Sequence, residues 1–320
     1  MYQPKAPILE SLTPFSRLLF SVLMIISCFA ITFFAGLLLA PSLFGVKTGE
    51  VIALLGNLED AKSINLLQYF QVLQSFGLFI FPVLLSGYFF ERSSTRYLHL
   101  DKPSRWQVWL LTLCLMFIAL PFINWMVDVN EMMKLPSYLK GMEDWMKSSE
   151  DQASKLTEVF MKMPTIGAFA FNLLMIAILP AIGEEFLFRG LLQRLLKELT
   201  GNIHAAIFIS AFFFSAMHMQ FYGFLPRMLL GMLFGYLFYW SGSLWVPVWA
   251  HLINNGTVVI VAFLCQHRVI NGNYENFGST DNVFLIVGSA LLAGCCLWLI
   301  HRFRTVTPLI QPFPEINSTE

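Results

Sequence analysis

The sequence predicts an all-α fold, a polytopic membrane helix bundle with about eight transmembrane helices. Three observations carry that prediction. Of the 320 residues 57% are hydrophobic and only 12% are charged, against about a quarter charged in soluble domains. The mean hydropathy is +0.65. Apolar stretches close to the ~20 residues that a membrane helix needs recur along the whole chain.

In order, these stretches run over Phe15–Phe44, Leu67–Phe90, Trp106–Val127, Ile166–Leu187, Ala205–Met219, Phe224–Tyr239, Leu244–Cys265 and Val283–Ile300. In the first, Lys5 and Arg17 precede an apolar run from about Leu18 to Phe44 as in a secretory signal, but the run exceeds the 7–15 residues typical of a signal core and reads as a span. The fifth and sixth are the shortest. The five cysteines, Cys28, Cys114, Cys265, Cys295 and Cys296, fall in or beside apolar runs without a repeated metal-site spacing, and read as buried apolar residues.

The longest polar stretch, Asp128 to Pro164, interleaves Glu143, Asp144, Lys147, Glu150 and Asp151 with Met142, Trp145, Leu156, Val159 and Phe160. Apolar residues at helical spacing among charges predict an amphipathic segment at the membrane surface. The chain therefore divides into an N-terminal three-span region with an amphipathic loop (1–163, the loop being 128–163), a core (164–265), and a last span with a tail (266–320).

Lys and Arg in short loops orient such a bundle. Arg92, Arg96, Lys102 and Arg105 form the densest group, and Arg194, Lys197, Arg302 and Arg304 fall on the same side. That assigns both termini and the tail to the cytoplasm, in a multi-pass protein of a bacterial inner membrane. Lys plus Arg and Asp plus Glu both number 20, so no basic surface for nucleic acid is implied.

Charge inside a span costs roughly 2.5–3.5 kcal/mol per residue on insertion scales, so an intramembrane acidic pair needs a reason. The run Ala181-Ile-Gly-Glu184-Glu185-Phe-Leu-Phe-Arg189 holds one. Glu185 and Arg189, four apart, share a helical face and can pair, while Glu184 points about 100° away. The next span ends at His218, and the seventh carries His251 and Asn255, again four apart. Measured from Arg194 and Ser243 as membrane edge, Glu184 and His251 lie about 15 and 12 Å deep, whereas His218 lies about 20 Å from His204. A carboxylate and an imidazole can activate water, and a second imidazole with an amide can stabilise an oxyanion, which together permit amide hydrolysis without a serine or cysteine nucleophile.

These residues resemble the CPBP group of intramembrane proteases, which includes the CAAX prenyl endopeptidases and Abi-like bacteriocin-immunity proteins. The motifs are Glu184-Glu185-Phe-Leu-Phe-Arg189, Phe214-Ser-Ala-Met-His218 and His251-Leu-Ile-Asn-Asn255. The resemblance covers about Ile178 to Gly256. It implies that Glu184 is the general base for water, His218 its partner, and His251 with Asn255 the oxyanion-stabilising pair, with Glu185 and Arg189 supporting. The expected activity is endopeptidase action on a membrane-associated peptide or protein, prenylated CAAX tails among the candidates, in a polar cavity opening toward the cytoplasm.

Glu184, His218 and His251 also offer the ligand types of a catalytic zinc, and the resemblance leaves metal-dependent and glutamate-based hydrolysis both open; no other cofactor is implied. A proton- or ion-coupled transporter and a non-catalytic immunity or scaffold protein are the rival functions. Gly231 and Gly235 read as close helix packing, Pro180 as a bend, and Arg227, Asn124 and Asn172 as bundle-facing polar residues without chemistry.

Overall fold

The computed structural model of the chain describes residues 6–56, 60–133 and 135–304. Lys5 and the tail beyond Arg304 lie outside the described residues. No β-strand occurs among those that are described.

Ten helices carry the architecture. We number them α1 (Pro14–Phe44), α2 (Lys62–Glu91), α3 (Trp106–Ile118), α4 (Leu120–Glu131), α5 (Lys140–Phe160), α6 (Ile166–Thr200), α7 (Ile203–Met217), α8 (Phe224–Ser241), α9 (Trp245–Gln266) and α10 (Val283–Arg302). Their ends follow local chemistry. The hydroxyls of Thr13 and Thr165 accept the amides of Ser16 and Ala168 at the starts of α1 and α6, and Asn202 caps α7 by accepting from His204 and Ala205. Gly201 and Gly242 stop α6 and α8 at φ +67°, a left-handed conformation that a Cβ disfavours.

Among the described residues five helices are long and apolar enough to cross a membrane (α1, α2, α6, α9 and α10), or six if α3 and α4, bent by 46° at their junction, count as one span. The protein is an integral membrane protein of helical-bundle class. The count differs from about eight because α7 has only 15 residues, short of the ~20 that a span needs, and α8 carries Arg227 near its start. These two helices form a tightly packed hairpin.

The basic loops do gather at one end. Arg17 of α1 lies 3.6 Å from Glu198 of α6, Arg194 covers the Tyr97 ring at 4.3 Å, and His301 of α10 packs on Trp240 of α8. Also at this end, the buried His99 donates from Nδ1 to the Gly242 carbonyl (3.1 Å), and Trp245 Nε1–H donates to Leu100 O. Burial, and then the Arg194 charge, lower the His99 pKa to about 4.

One expectation needs correction. Cys114 and Cys295 are exposed, because they face outward from the bundle on α3 and α10. The amphipathic segment is confined to α5, and it packs on the polypeptide that follows His218: the Trp145 and Phe221 ring centroids are 5.2 Å apart.

Candidate active site

Helix α6 places the two glutamates near its midpoint, and close packing makes room for them. A Cβ on Gly183 would come within 2.9 Å of Phe79 Cβ, so α2 approaches as closely as a glycine permits.

Glu185 is fully buried and its partners are fixed. Its Oε1 accepts from Arg189 Nη1 on the same helix and from His251 Nδ1 on α9, both at 2.8 Å. Arg189 also donates from Nη2 to the Gly231 carbonyl of α8 (2.8 Å), with its guanidinium 4.6 Å from the Phe214 ring centroid and 5.4 Å from that of Phe234. One turn on, Gln193 Nε2 donates to the Gly235 carbonyl (3.3 Å). The spacing of four on both helices makes these two rungs of one ladder. A Cβ on Gly235 would sit 2.8 Å from Gln193 Oε1, so the glycine lets the α6 side chain reach α8, and a Cβ on Gly231 would sit 3.2 Å from Ala211 Cα of α7. The packing role expected for Gly231 and Gly235 is realised, and their carbonyls anchor the acidic helix as well.

Glu184 faces the other histidine. Its Oε2 lies 3.9 Å from Nε2 of His218 and 3.9 Å from Nε2 of His251, and no protein group hydrogen-bonds it. His218 Nδ1 is 2.8 Å from the Phe214 carbonyl, which can only accept. His251 Nδ1 faces the Glu185 carboxylate, already paired with Arg189. Both imidazoles therefore carry their proton on Nδ1 and turn Nε2 toward Glu184. His251 is stacked on Phe234 (5.3 Å, 26°), and Phe214 packs edge-on to both histidines.

His218 reaches this group because the acidic helix continues past Arg194, the edge assumed for it, to Thr200. Glu184 then lies 16 residues before that end, about 24 Å at 1.5 Å per residue. His218 follows the start of α7 by 15 residues, about 22 Å.

Asn255 is placed differently. Its Nδ2 donates to the Ile176 carbonyl of α6 (3.1 Å), and its Oδ1 accepts from Asn254. Among the described residues no hydrogen bond or ion pair joins it to Glu184, His218 or His251. The other two polar candidates read as bundle-facing are bound to backbone: Asn124 donates to Phe277 O and Asn172 to Phe160 O.

Beyond His218 the chain forms a strap, Met219 to Gly223. Arg227 donates to the carbonyl and the side-chain oxygen of Gln220 (3.1 and 2.9 Å), and Glu150 of α5 accepts the Tyr222 amide (3.3 Å). Burial pushes the Glu150 carboxyl up, against the pull of the Tyr222 amide and the Arg227 charge. A cavity of about 360 Å³ lies alongside, walled by Gln220 of the strap, Ile253, Asn254 and Thr257 of α9, and Ser154 and Thr157 of α5. Helix α5 joins the ends of α4 and α6 opposite the basic end, and Glu184, His218 and His251 are not among the residues lining this cavity.

A zinc ion bound at about 2.0–2.2 Å holds its donor atoms roughly 3.2–3.6 Å apart. The two Nε2–Oε2 separations of 3.9 Å are wider, and among the described residues no group of three or more His, Cys, Asp or Glu side chains is arranged to hold a metal. Glu184, His218 and His251 do not form a metal site in this geometry, and the hydrolytic step derived below uses none.

Residues 166–257 match the family described as type II CAAX prenyl endopeptidase Rce1-like, and this stretch contains all three motifs. Over that stretch, referred to below as the Rce1-like core, the chain is similar to this family. The Bacillus subtilis (strain 168) protein described as "Uncharacterized protein YpbD" is 29% identical over 101 residues, 30% of this chain and 46% of that one. The chain thus spans less than half the length of the relative it matches. No solved structure matches it. Within the Rce1-like core, Gln193 is a neighbour of the candidate site that the motifs do not include, although it lies just one turn beyond Arg189.

Proposed function

We propose that this protein is an intramembrane endopeptidase that hydrolyses a peptide bond of a membrane-associated substrate by Glu184-activated water. The observation that carries this reading is the shared 3.9 Å separation of two imidazole Nε2 atoms from one buried, unpartnered carboxylate oxygen. A water oxygen making two hydrogen bonds of about 2.8 Å spans about 4 to 4.6 Å between their far ends. A water can therefore bridge Glu184 to either imidazole, and we place one water in contact with all three groups.

The proton inventory then follows. The carboxylate and two Nδ1–H imidazoles present three acceptors to a water with two hydrogens, so the working state holds one further proton. We assign it to His251 Nε2, because Glu185 faces the other side of that ring. Two buried negative charges, Glu184 and Glu185, then balance Arg189 and the His251 imidazolium.

In the reaction Glu184 takes a proton from water as its oxygen bonds to the substrate carbonyl carbon, and His218 Nε2 orients that water by accepting its second hydrogen. The carbonyl becomes an oxyanion facing His251 Nε2–H, and Asn255 can assist only through the amide hydrogen not committed to Ile176. Collapse breaks the C–N bond, and the proton held by Glu184 passes to the leaving amine. Glu185 and Arg189 orient His251 without touching substrate. Charge moves within a set of fixed, desolvated dipoles, where such stabilisation is strongest.

The Rce1-like core makes a CAAX-type prenylated peptide the first substrate class to assay. We also take the end that gathers Arg92, Arg96, Lys102 and Arg105 as cytoplasmic, with both termini, in a bacterial inner membrane; terminal reporter fusions test this. On that orientation α5 and the cavity face the opposite side, so the orientation decides from which side peptide arrives.

Purified protein in detergent should cleave a prenylated CAAX peptide or an apolar peptide from a panel, and Glu184→Gln should lower turnover by at least about 10³-fold while keeping the wild-type elution profile. Undiminished cleavage by Glu184→Gln would remove Glu184 from the mechanism.

A further inference from the structure

We infer that Asn130 and Glu150, both outside the Rce1-like core, are positioning residues for His218. They act by holding the strap Met219–Gly223.

His218 closes the last turn of α7, and its ring is tied by Nδ1 to that same turn. A terminal helical turn lacks onward backbone partners, so the place of the ring depends on what holds the chain after it. That chain is not relaxed: Met219 has φ +54°, a left-handed conformation uncommon for a residue with a side chain.

Side chains from four helices impose this path. Asn130, buried at the end of α4, donates from Nδ2 to Phe221 O (3.1 Å) and accepts the Leu225 amide on Oδ1 (2.7 Å). It thereby caps α8 from another helix, since the cap residue Gly223 offers no side chain. Glu150 takes the Tyr222 amide, and Trp145 packs on Phe221. Ser215 of α7 donates to Phe224 O, and Arg227 of α8 holds Gln220. Of the residues that hydrogen-bond this segment, Asn130 and Glu150 come from the N-terminal region. That region therefore sets the position of a histidine that belongs to the core.

This inference rests on the proposed peptidase reading for its kinetic readout but not for its chemical one. In full-length protein, kcat and KM would be measured with a peptide that wild type cleaves. The rate at which diethyl pyrocarbonate modifies His218 would be followed in parallel by mass spectrometry, with His204 as internal control.

Asn130→Leu and Glu150→Ala should each lower kcat by about ten- to a hundredfold, as misplacement by an ångström can, with KM within about twofold. His218 modification should change severalfold while His204 does not. Glu150→Gln, whose amide oxygen can still accept the Tyr222 N–H, should restore kcat and the His218 rate toward wild type. Wild-type kcat and His218 reactivity in both Asn130→Leu and Glu150→Ala would overturn the inference, as would parallel acceleration at His218 and His204. If wild type cleaves no peptide, the peptidase reading fails and the His218 rates alone decide this one.

Discussion

Asn255 gives its side-chain amide to the carbonyl of Ile176, four residues before Pro180 in α6. In a regular helix that carbonyl would accept the N–H of residue 180, and proline has none. Widened, i→i+5 turns over Leu173–Ile178 mark the same place, and such turns are frequent at functional sites. The proline and the asparagine belong to one arrangement: a break in the acidic helix, just ahead of Glu184, that a side chain from the histidine helix completes.

Asn255→Ala should therefore destabilise the fold by about 1–3 kcal/mol, the usual cost of stranding a buried polar group. In a Pro180→Ala background, where the helix can supply its own N–H, the same substitution should cost measurably less. A double-mutant cycle on unfolding in detergent checks this, and additivity of the two changes would refute the coupling.

The Glu185–Arg189 pair is almost wholly shielded, 0% and 1% exposed. Breaking such a pair from one side leaves an uncompensated charge and costs about 3–5 kcal/mol. Arg189→Met should lose folded protein to that extent, whereas Glu184→Gln, at a group with no protein hydrogen-bond partner on Oε2, should not. Thermal unfolding of the two variants side by side separates the roles.

Gly231→Ala adds a methyl where Ala211 Cα and Phe214 Cδ1 already stand at 3.2 and 3.1 Å. Overpacking of this kind costs about 1–3 kcal/mol, and moving α8 outward also withdraws the carbonyl from Arg189. The expected result is lowered stability together with a lowered kcat.

His99 supplies a pH signature remote from the active group. Its folded pKa, about 4, lies below the ordinary 6.5, so the unfolded chain binds the proton more readily. The stability it contributes is complete above about pH 6.5 and falls as pH drops toward 4, by roughly 1–3 kcal/mol. His99→Gln, which keeps a donor for Gly242 O, should flatten the dependence of unfolding on pH in that window.

Chelation should leave turnover unchanged within about twofold, because the Glu184, His218 and His251 atoms stand farther apart than zinc donors do. Turnover in the presence of phenanthroline, with and without added zinc, is the check.

What the sequence makes legible follows cost. Glu184, Glu185, Arg189, His218 and His251 stand out because charge and imidazole in apolar runs demand partners, and the structure brings all five together. Asn255 is found by spacing, but its partner is a carbonyl exposed by proline chemistry, and the residue types do not announce which acceptor wins. Asn130 and Glu150 lie at helix ends among other polar residues, where solvation is the ordinary explanation. The span count is less legible because α7 and α8 are apolar like spans yet shorter or more charged than the five long helices, and depth is less legible because the acidic helix runs past the charged Arg194 to Thr200.

The paired contacts of Arg189 with Gly231 and Gln193 with Gly235 act as teeth on matching pitch. Sliding or rotating α8 by one residue against α6 would disengage both at once, whereas tilting the α7–α8 hairpin about its base near Gly201 and Gly242 strains them gradually from the His218 end. On the peptidase reading proposed above, admission of a peptide is expected to proceed by a hinge at the hairpin base, with α6 and the glutamates as the stationary wall.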